Sequence, residues 1–276
     1  IQQRARFAVD PARGGEGIRT SIAATVREWL SRSPVNAIGV GYGGPVDWHT
    51  GQVCCSHHVA GWSDFPLGAW LHELSDVPVA VDNDANVAAL GEAHAGAGRG
   101  HEPVLYVTLG SGVGGGLVVG GRIYHGAPPG EVEIGHVRLD RSGATVESRC
   151  AGWAVDRKIR EAITAAPDSP LGRRAGTTHG GEARHLGAAL VQGDGEARRI
   201  LTETATDLAF GLANESKKWT TPKLALTLDE TVFETLYLEH RFADGASLRV
   251  GRQNISRGDG FLLTDGGPLD GSRTAY

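Results

Sequence analysis

The order of periodicities along this 276-residue chain predicts an α/β fold with a β-rich ending. Three observations carry that reading. As far as Asn214, apolar residues at helical spacing alternate with short β-branched runs; from Leu224 the leucines recur at every second residue; and glycine, at 41 residues, is about twice its usual share. So much glycine suits many tight turns and close backbone approaches to a ligand.

Taken in order, Ile18, Ile22, Val26, Trp29 and Leu30 fall on one helical face, and Pro34 ends the run. Ala37 to Gly41 reads as a buried strand, Gly43-Gly44-Pro45 as a turn and Gln52 to Cys55 as the return strand. Leu67 to Leu74 is helical, Val77 to Val81 is a strand, and Ala85 to Ala97 is an alanine-rich helix closed by glycine. Strands at Val104 to Leu109 and Gly116 to Val119 flank a glycine turn, and helices follow at 152–164, 182–191 and 195–213. Beyond that, Leu224, Leu226 and Leu228, then Leu236 and Leu238, then Leu248 and Val250 read as hairpin strands, with Asp244-Gly245 as the last turn.

A net charge of −5, with 40% hydrophobic and 21% charged residues and no dense basic run, gives no reason to expect nucleic acid or an anionic membrane as a partner. Small molecules are the expected ligands. Three cysteines, two of them adjacent at Cys54 and Cys55, make neither a disulfide framework nor a zinc pair, and fit buried filler in a reducing, cytoplasmic compartment. The longest uncharged stretch, Val104 to Gly121, is too rich in glycine for a membrane helix. A chain that opens on Ile1 and has no methionine is expected to be a fragment.

Three short segments carry chemistry. Leu109 to Gly116 is a glycine-rich turn whose backbone N–H groups can converge on a phosphate, although a turn between strands needs no ligand. Asp82-Asn83-Asp84-Ala85-Asn86 crowds two carboxylates and two amides at a strand-to-helix junction. One of the four suffices for an N-cap. Phosphoryl transfer asks for more: a carboxylate to take the proton of the attacking hydroxyl, and a neighbour to aim that hydroxyl. Asp84 with Asn83 answers to this. The third segment, Gly130-Glu131-Val132-Glu133-Ile134-Gly135-His136, is an ordinary Glu/His surface pair when met alone; next to the other two it offers the acceptors and imidazole that polyol recognition demands.

In this order and spacing the three segments resemble the ROK family of bacterial sugar kinases and sugar-responsive repressors. The resemblance rests on Asn83-Asp84-Ala85-Asn86, on Gly110-Ser111-Gly112-Val113-Gly114-Gly115-Gly116 and on Glu133-Ile134-Gly135-His136; Ile38 to Gly41, Gly44 to Asp47, Gly61-Trp62 and Pro66-Leu67 also look like the family's small-lobe segment. It implies an actin-like, ribonuclease H-like, two-lobed kinase fold closing on a hexose or N-acyl-hexosamine with ATP and Mg²⁺. By position it implies Asp84 as base, Asn83, Glu133, His136 and Glu147 as sugar ligands, and His57 as a further sugar contact. Gly110, Ser111, Gly112, Gly114 and Gly115 are implied at the ATP phosphates, and a homodimer is in keeping with relatives.

Three departures qualify what is carried over. Val137 to Val146 lacks the cysteines of the family's zinc cluster, so no structural zinc is expected. The family's first strand, with its Asp-x-Gly-Gly-Thr-type phosphate loop, is expected before Ile1; without it a phosphate cradle and an Mg²⁺-associated aspartate are missing, and turnover by this chain alone is expected to be impaired. From Glu215 the chain leaves the family pattern, and Leu248 to Gln253, Gly258 to Leu262 and Pro268 to Arg273 resemble a fragment of an outer-membrane alginate-export-type porin, too short to span a membrane. The expected division is therefore 1–82 as the rest of a small lobe, 83–214 as a large lobe and 215–276 as a hairpin tail, foreign or divergent. A kinase, the sensor half of a repressor and an inactive chimera all remain open at this point.

Overall fold

The computed structural model describes residues 4–56, 59–126, 132–176, 179–215, 225–228, 236–241, 247–251 and 262–264. Helix α1 (Gly14–Arg32) buries Val26 and packs Ile18, Ile22 and Leu30 against the core, and it stops where Ser33 turns extended ahead of Pro34. Strand β1 (Ile38–Tyr42) follows, then the two-residue strands β2 (Val46–Asp47) and β3 (Gln52–Val53), an antiparallel pair. The expected return strand through Cys55 is cut short, although Cys54 N–H still bonds Pro45 C=O at 2.9 Å. Helix α2 (Leu67–Ser75) ends on Asp76 in the left-handed region.

Strand β4 (Val79–Asn83) starts and ends two residues later than expected. Pro78 has no N–H to give a ladder, and pairing with β1 runs from Ile38↔Val79 to Tyr42↔Asn83. Helix α3 (Asp84–Ala95) begins at the next residue. Strands β5 (Val104–Leu109), β6 (Val113–Val119) and β7 (Arg122–Ile123) form a sheet in that order, β6 taking in most of the glycine run. A 3₁₀ turn, Ile134–His136, leads to α4 (Val146–Cys150), α5 (Gly152–Ala165) and α6 (Pro170–Ala175).

The helix expected over 182–191 is two pieces, a 3₁₀ turn Glu182–His185 and α7 (Leu186–Val191). Buried Asp156 explains its entry: its carboxylate takes the Gly181 and Ala183 amides at 2.8 and 2.7 Å and fixes the turn before helical bonding starts. Helix α8 (Gly195–Glu215) is capped by Asp194, which accepts from Ala197 N–H at 2.9 Å. In the tail, β8 (Ala225–Leu228), β9 (Leu236–Arg241) and β10 (Ser247–Gly251) form an antiparallel meander, and β11 (Leu262–Thr264) pairs parallel with β1. The expected turn at Asp244-Gly245 lies outside the described residues.

Two compact units divide these elements. The first comprises Ile1–Val104, Gly116–Glu131 and Ile255–Gly266; the second comprises Leu105–Gly115, Val132–Asn254 and Gly267–Tyr276. The first holds the parallel sheet β11-β1-β4, and its core gathers Val40, Tyr42, Trp62, Leu71 and Val81. The second has two apolar cores, one around Val107, Ile134, Val146 and Leu208 and one around Ile159, Leu171 and Ile200. Among the described residues no helix is long and apolar enough to cross a membrane.

Candidate functional site

In the first unit, the β4–α3 junction gathers polar groups that a plain cap does not require. Asn83 is the N-cap: its Oδ1 accepts from Ala85 N–H at 2.9 Å and Asn86 N–H at 3.4 Å, while its Nδ2 donates to Gly44 C=O at 3.3 Å. The capping alternative is thus realised by Asn83 and leaves Asp84 over. Asp84, the first helical residue, shares the Ala85 amide at 2.9 Å. Burial raises its proton affinity above the ordinary 3.8, and the bonds from the backbone amides of Ala85 and of Asp84 itself only partly offset this.

Glycines bring backbone up against this turn. A Cβ on Gly41 of β1 would stand 3.2 Å from Asp84 Cα, and one on Gly116 would meet Ala85 O at 2.6 Å and Asn86 Cα at 2.9 Å. The helix start is therefore seated between two stretches of backbone. Asp82, one residue before the cap Asn83, accepts from Asn83 N–H and Asn86 Nδ2 and bonds His125 Nε2 at 2.7 Å. Sequence reading missed this histidine. It lies 43 positions from Asp82, and spacing carries no signal for such a pair.

In the second unit, the turn between β5 and β6 spends the Gly110 amide on Gly112 C=O at 2.9 Å and the Val113 amide on Glu147 Oε2 at 3.0 Å. That leaves Ser111 and Gly112 as the amides at its tip. Gly110 C=O accepts from Gly152 N–H at the start of α5, and a Cβ on Gly112 would come 2.8 Å from Glu147 Oε2. Gly115 is needed for packing as well, since a Cβ there would fall 3.1 to 3.2 Å from Ile134, Tyr106 O and Val132 O. Glu147, in the first turn of α4, thus braces the glycine turn.

Glu133 precedes the 3₁₀ turn and His136 ends it in the same unit, with His136 Nδ1 3.5 Å from Glu133 Oε2. At 48% and 70% exposure both side chains are open to a ligand. Gly135 between them admits no side chain, because its Cβ would collide with Val113 O of β6. The structure thus brings Asn83 and Asp84 together in one unit, and Glu133, His136, Glu147 and Gly110 to Gly115 in the other. His57 lies outside the described residues.

Comparison with known proteins accounts for this set of motifs. Residues 2–224 match the ROK family. The chain belongs to the ROK family. This ROK chain is 32% identical over 262 residues to a glucokinase of Halalkalibacterium halodurans, covering 86% of the chain and 79% of that relative. It is 32% identical over 208 residues to a glucokinase of Thermotoga maritima, covering 72% of the chain and 66% of the relative. A solved ROK family glucokinase from Streptomyces griseus, in complex with glucose and AMPPNP, is 33% identical with a TM-score of 0.63, over 76% of this chain and 70% of that one. Xylose repressors match too, at 28 and 31% identity. The fold of this ROK chain is actin-like and ribonuclease H-like, and by family it is a glucokinase-like sugar kinase.

Proposed function

We propose that this ROK chain transfers the γ-phosphoryl group of ATP to a hydroxyl of a hexose or N-acyl-hexosamine. The attacking sugar oxygen forms a bond to the γ-phosphorus, the bond to the bridging oxygen of ADP breaks, and Asp84 takes the hydroxyl proton. The observation that carries this is Asp84 itself: a withdrawn carboxylate of raised proton affinity, spare to the cap that Asn83 already supplies. Asn83, Glu133, His136 and Glu147 hold sugar hydroxyls, with His57 as a further contact. The amides of Ser111 and Gly112, in a turn opened by Gly110, Gly114 and Gly115, meet the phosphates.

Mg²⁺ fits as an ion carried on the nucleotide, since such ions keep their waters and one or two carboxylates, and among the described residues no cluster of three metal-ligating side chains forms. When bound it neutralises phosphate charge. We hold the protein to be zinc-free and cytoplasmic, with no nucleic-acid partner and a homodimeric state in keeping with its family. Metal analysis that finds stoichiometric zinc overturns the first of these.

Residues 215–276 are a separate, porin-like piece in this reading, and limited proteolysis near residue 215 is expected to release them. Pairing of β11 with β1 supports the opposing view that the tail packs on the first unit, and protection equal to the kinase core decides for it. The kinase reading is tested by following ADP release over a panel of hexoses. Binding of a sugar without transfer points to the repressor branch, and neither binding nor transfer to an inactive chimera.

A further inference from the structure

Two segments remote in sequence meet at Asp82, and a third is joined to them through a ring stack. Its Oδ1 accepts from Asn83 N–H at 2.8 Å and from Asn86 Nδ2 at 2.9 Å, and its Oδ2 meets His125 Nε2 at 2.7 Å. A carboxylate can only accept, so the hydrogen in the last bond belongs to the imidazole and fixes Nε2 as its donor. Both side chains of this pair are only 16% exposed. The His125 ring also stacks on Trp48, with centroids 4.1 Å apart and planes 7° from parallel, and Trp48 stacks in turn on His49 at 3.7 Å. The Asp82 carboxylate thereby ties the β4–α3 junction to the segment after β7, and the His125 ring carries the link on to the turn after β2.

Stability alone gives little reason for this arrangement. Asn83 already caps α3, and the network leaves Asn86 Oδ1 buried with no partner among the described residues, which costs stability. What the network does fix is Asp82, the next-to-last residue of β4, one peptide before Asn83 and two before Asp84. We infer that Asp82 and His125 form a positioning pair, whose hydrogen bond holds the Asn83-Asp84 turn in the orientation that proton transfer needs. Neither residue touches the reacting atoms. The inference rests on the reading of Asp84 as base.

Two substitutions at His125 separate the hydrogen bond from the ring. His125→Phe keeps a ring against Trp48 and removes the donor; His125→Gln keeps a donor at similar reach and removes the ring. At saturating hexose, His125→Phe is expected to lower kcat at least about tenfold with KM for hexose within about twofold, and His125→Gln to stay within about threefold of the parent. Wild-type kcat in the phenylalanine variant, or an equal fall in both variants, overturns the inference. If the phenylalanine variant does not fold, His125→Asn, too short to reach Asp82, takes its place with the same outcomes. Amide hydrogen exchange at Asn83, Ala85 and Asn86 supplies a readout independent of turnover: the donor-free variant should exchange at least about tenfold faster there and His125→Gln should not. A parent without kinase activity therefore sinks the proposed function alone, whereas unchanged exchange sinks the positioning pair.

Discussion

Replacing Asp84 by asparagine removes one proton acceptor while preserving nearly every contact. Its carboxylate accepts from Ala85 N–H at 2.9 Å, a bond that an asparagine oxygen can also accept and that Asn83 Oδ1 already shares at the same distance. Turnover should fall at least about a hundredfold, the lower range for loss of a general base, or about 2.7 kcal/mol of barrier at 1.36 kcal/mol per factor of ten. Stability should move the other way. Burial raises the Asp84 pKa in the folded state, so between the ordinary 3.8 and that raised value the folded chain holds a proton that the unfolded chain has lost. As pH climbs through this window the native state takes on a withdrawn charge and loses stability, which Asp84→Asn escapes. The assay is a coupled measurement of ADP release beside melting curves from about pH 4 to about pH 8, with the variant gaining on the parent as pH rises. In the parent, kcat/KM should show an acid limb above the usual carboxylate range. Unchanged turnover, or a variant less stable than the parent by more than about 1 kcal/mol at neutral pH, refutes the reasoning.

Elsewhere in the molecule the same logic gives sharper contrasts. Gly112→Ala pushes only on the tip of Glu147, 2.8 Å from the added Cβ, so it should raise KM for ATP several-fold with a melting loss under about 1 kcal/mol. Gly135→Ala drives a Cβ into backbone and should cost about 1 to 3 kcal/mol or prevent folding, read by denaturant unfolding. Glu182 has a side chain with no exposed area and pairs with Arg160 at 2.8 Å. Its burial pushes the carboxyl pKa up, but the Arg160 hydrogen bond and charge and the amides of Glu182 and Gly180 outweigh this and hold it below 4.5; the stability it contributes is present above that value and lost as pH falls through the depressed one. Arg160→Ala strands the buried carboxylate and should destabilise by about 2 kcal/mol or more, with the deficit shrinking in acid.

Local pattern made the helices and most strands legible: in α1, Val26 is buried and Ile18, Ile22 and Leu30 pack on the core at the period the sequence shows. Asn83 and Asp84 were legible for a related reason: a polar crowd at a period change is visible without knowing what it contacts. The slip of β4 to Asn83 depends on Pro78 and on the register with β1, and register is a property of two strands. Likewise the break at Glu182 is set by Asp156, 25 to 27 residues away from the amides it captures. The Glu147 brace spans 34 residues and the Asp82–His125 bond 43, and neither leaves a trace in spacing. The pairing of β11 with β1 involves three residues, too few for any period to declare itself.

Gly41 and Gly116 set a limit on how this protein can change. Each occupies space that even a methyl group would contest with the opening turn of α3, so drift at either position moves Asp84 before it alters anything the solvent sees. Selection for a new sugar would therefore find little freedom in that notch. The exposed pair of Glu133 and His136, which the proposed function sets at the sugar, offers more, since a swap of either side chain need not displace main chain first.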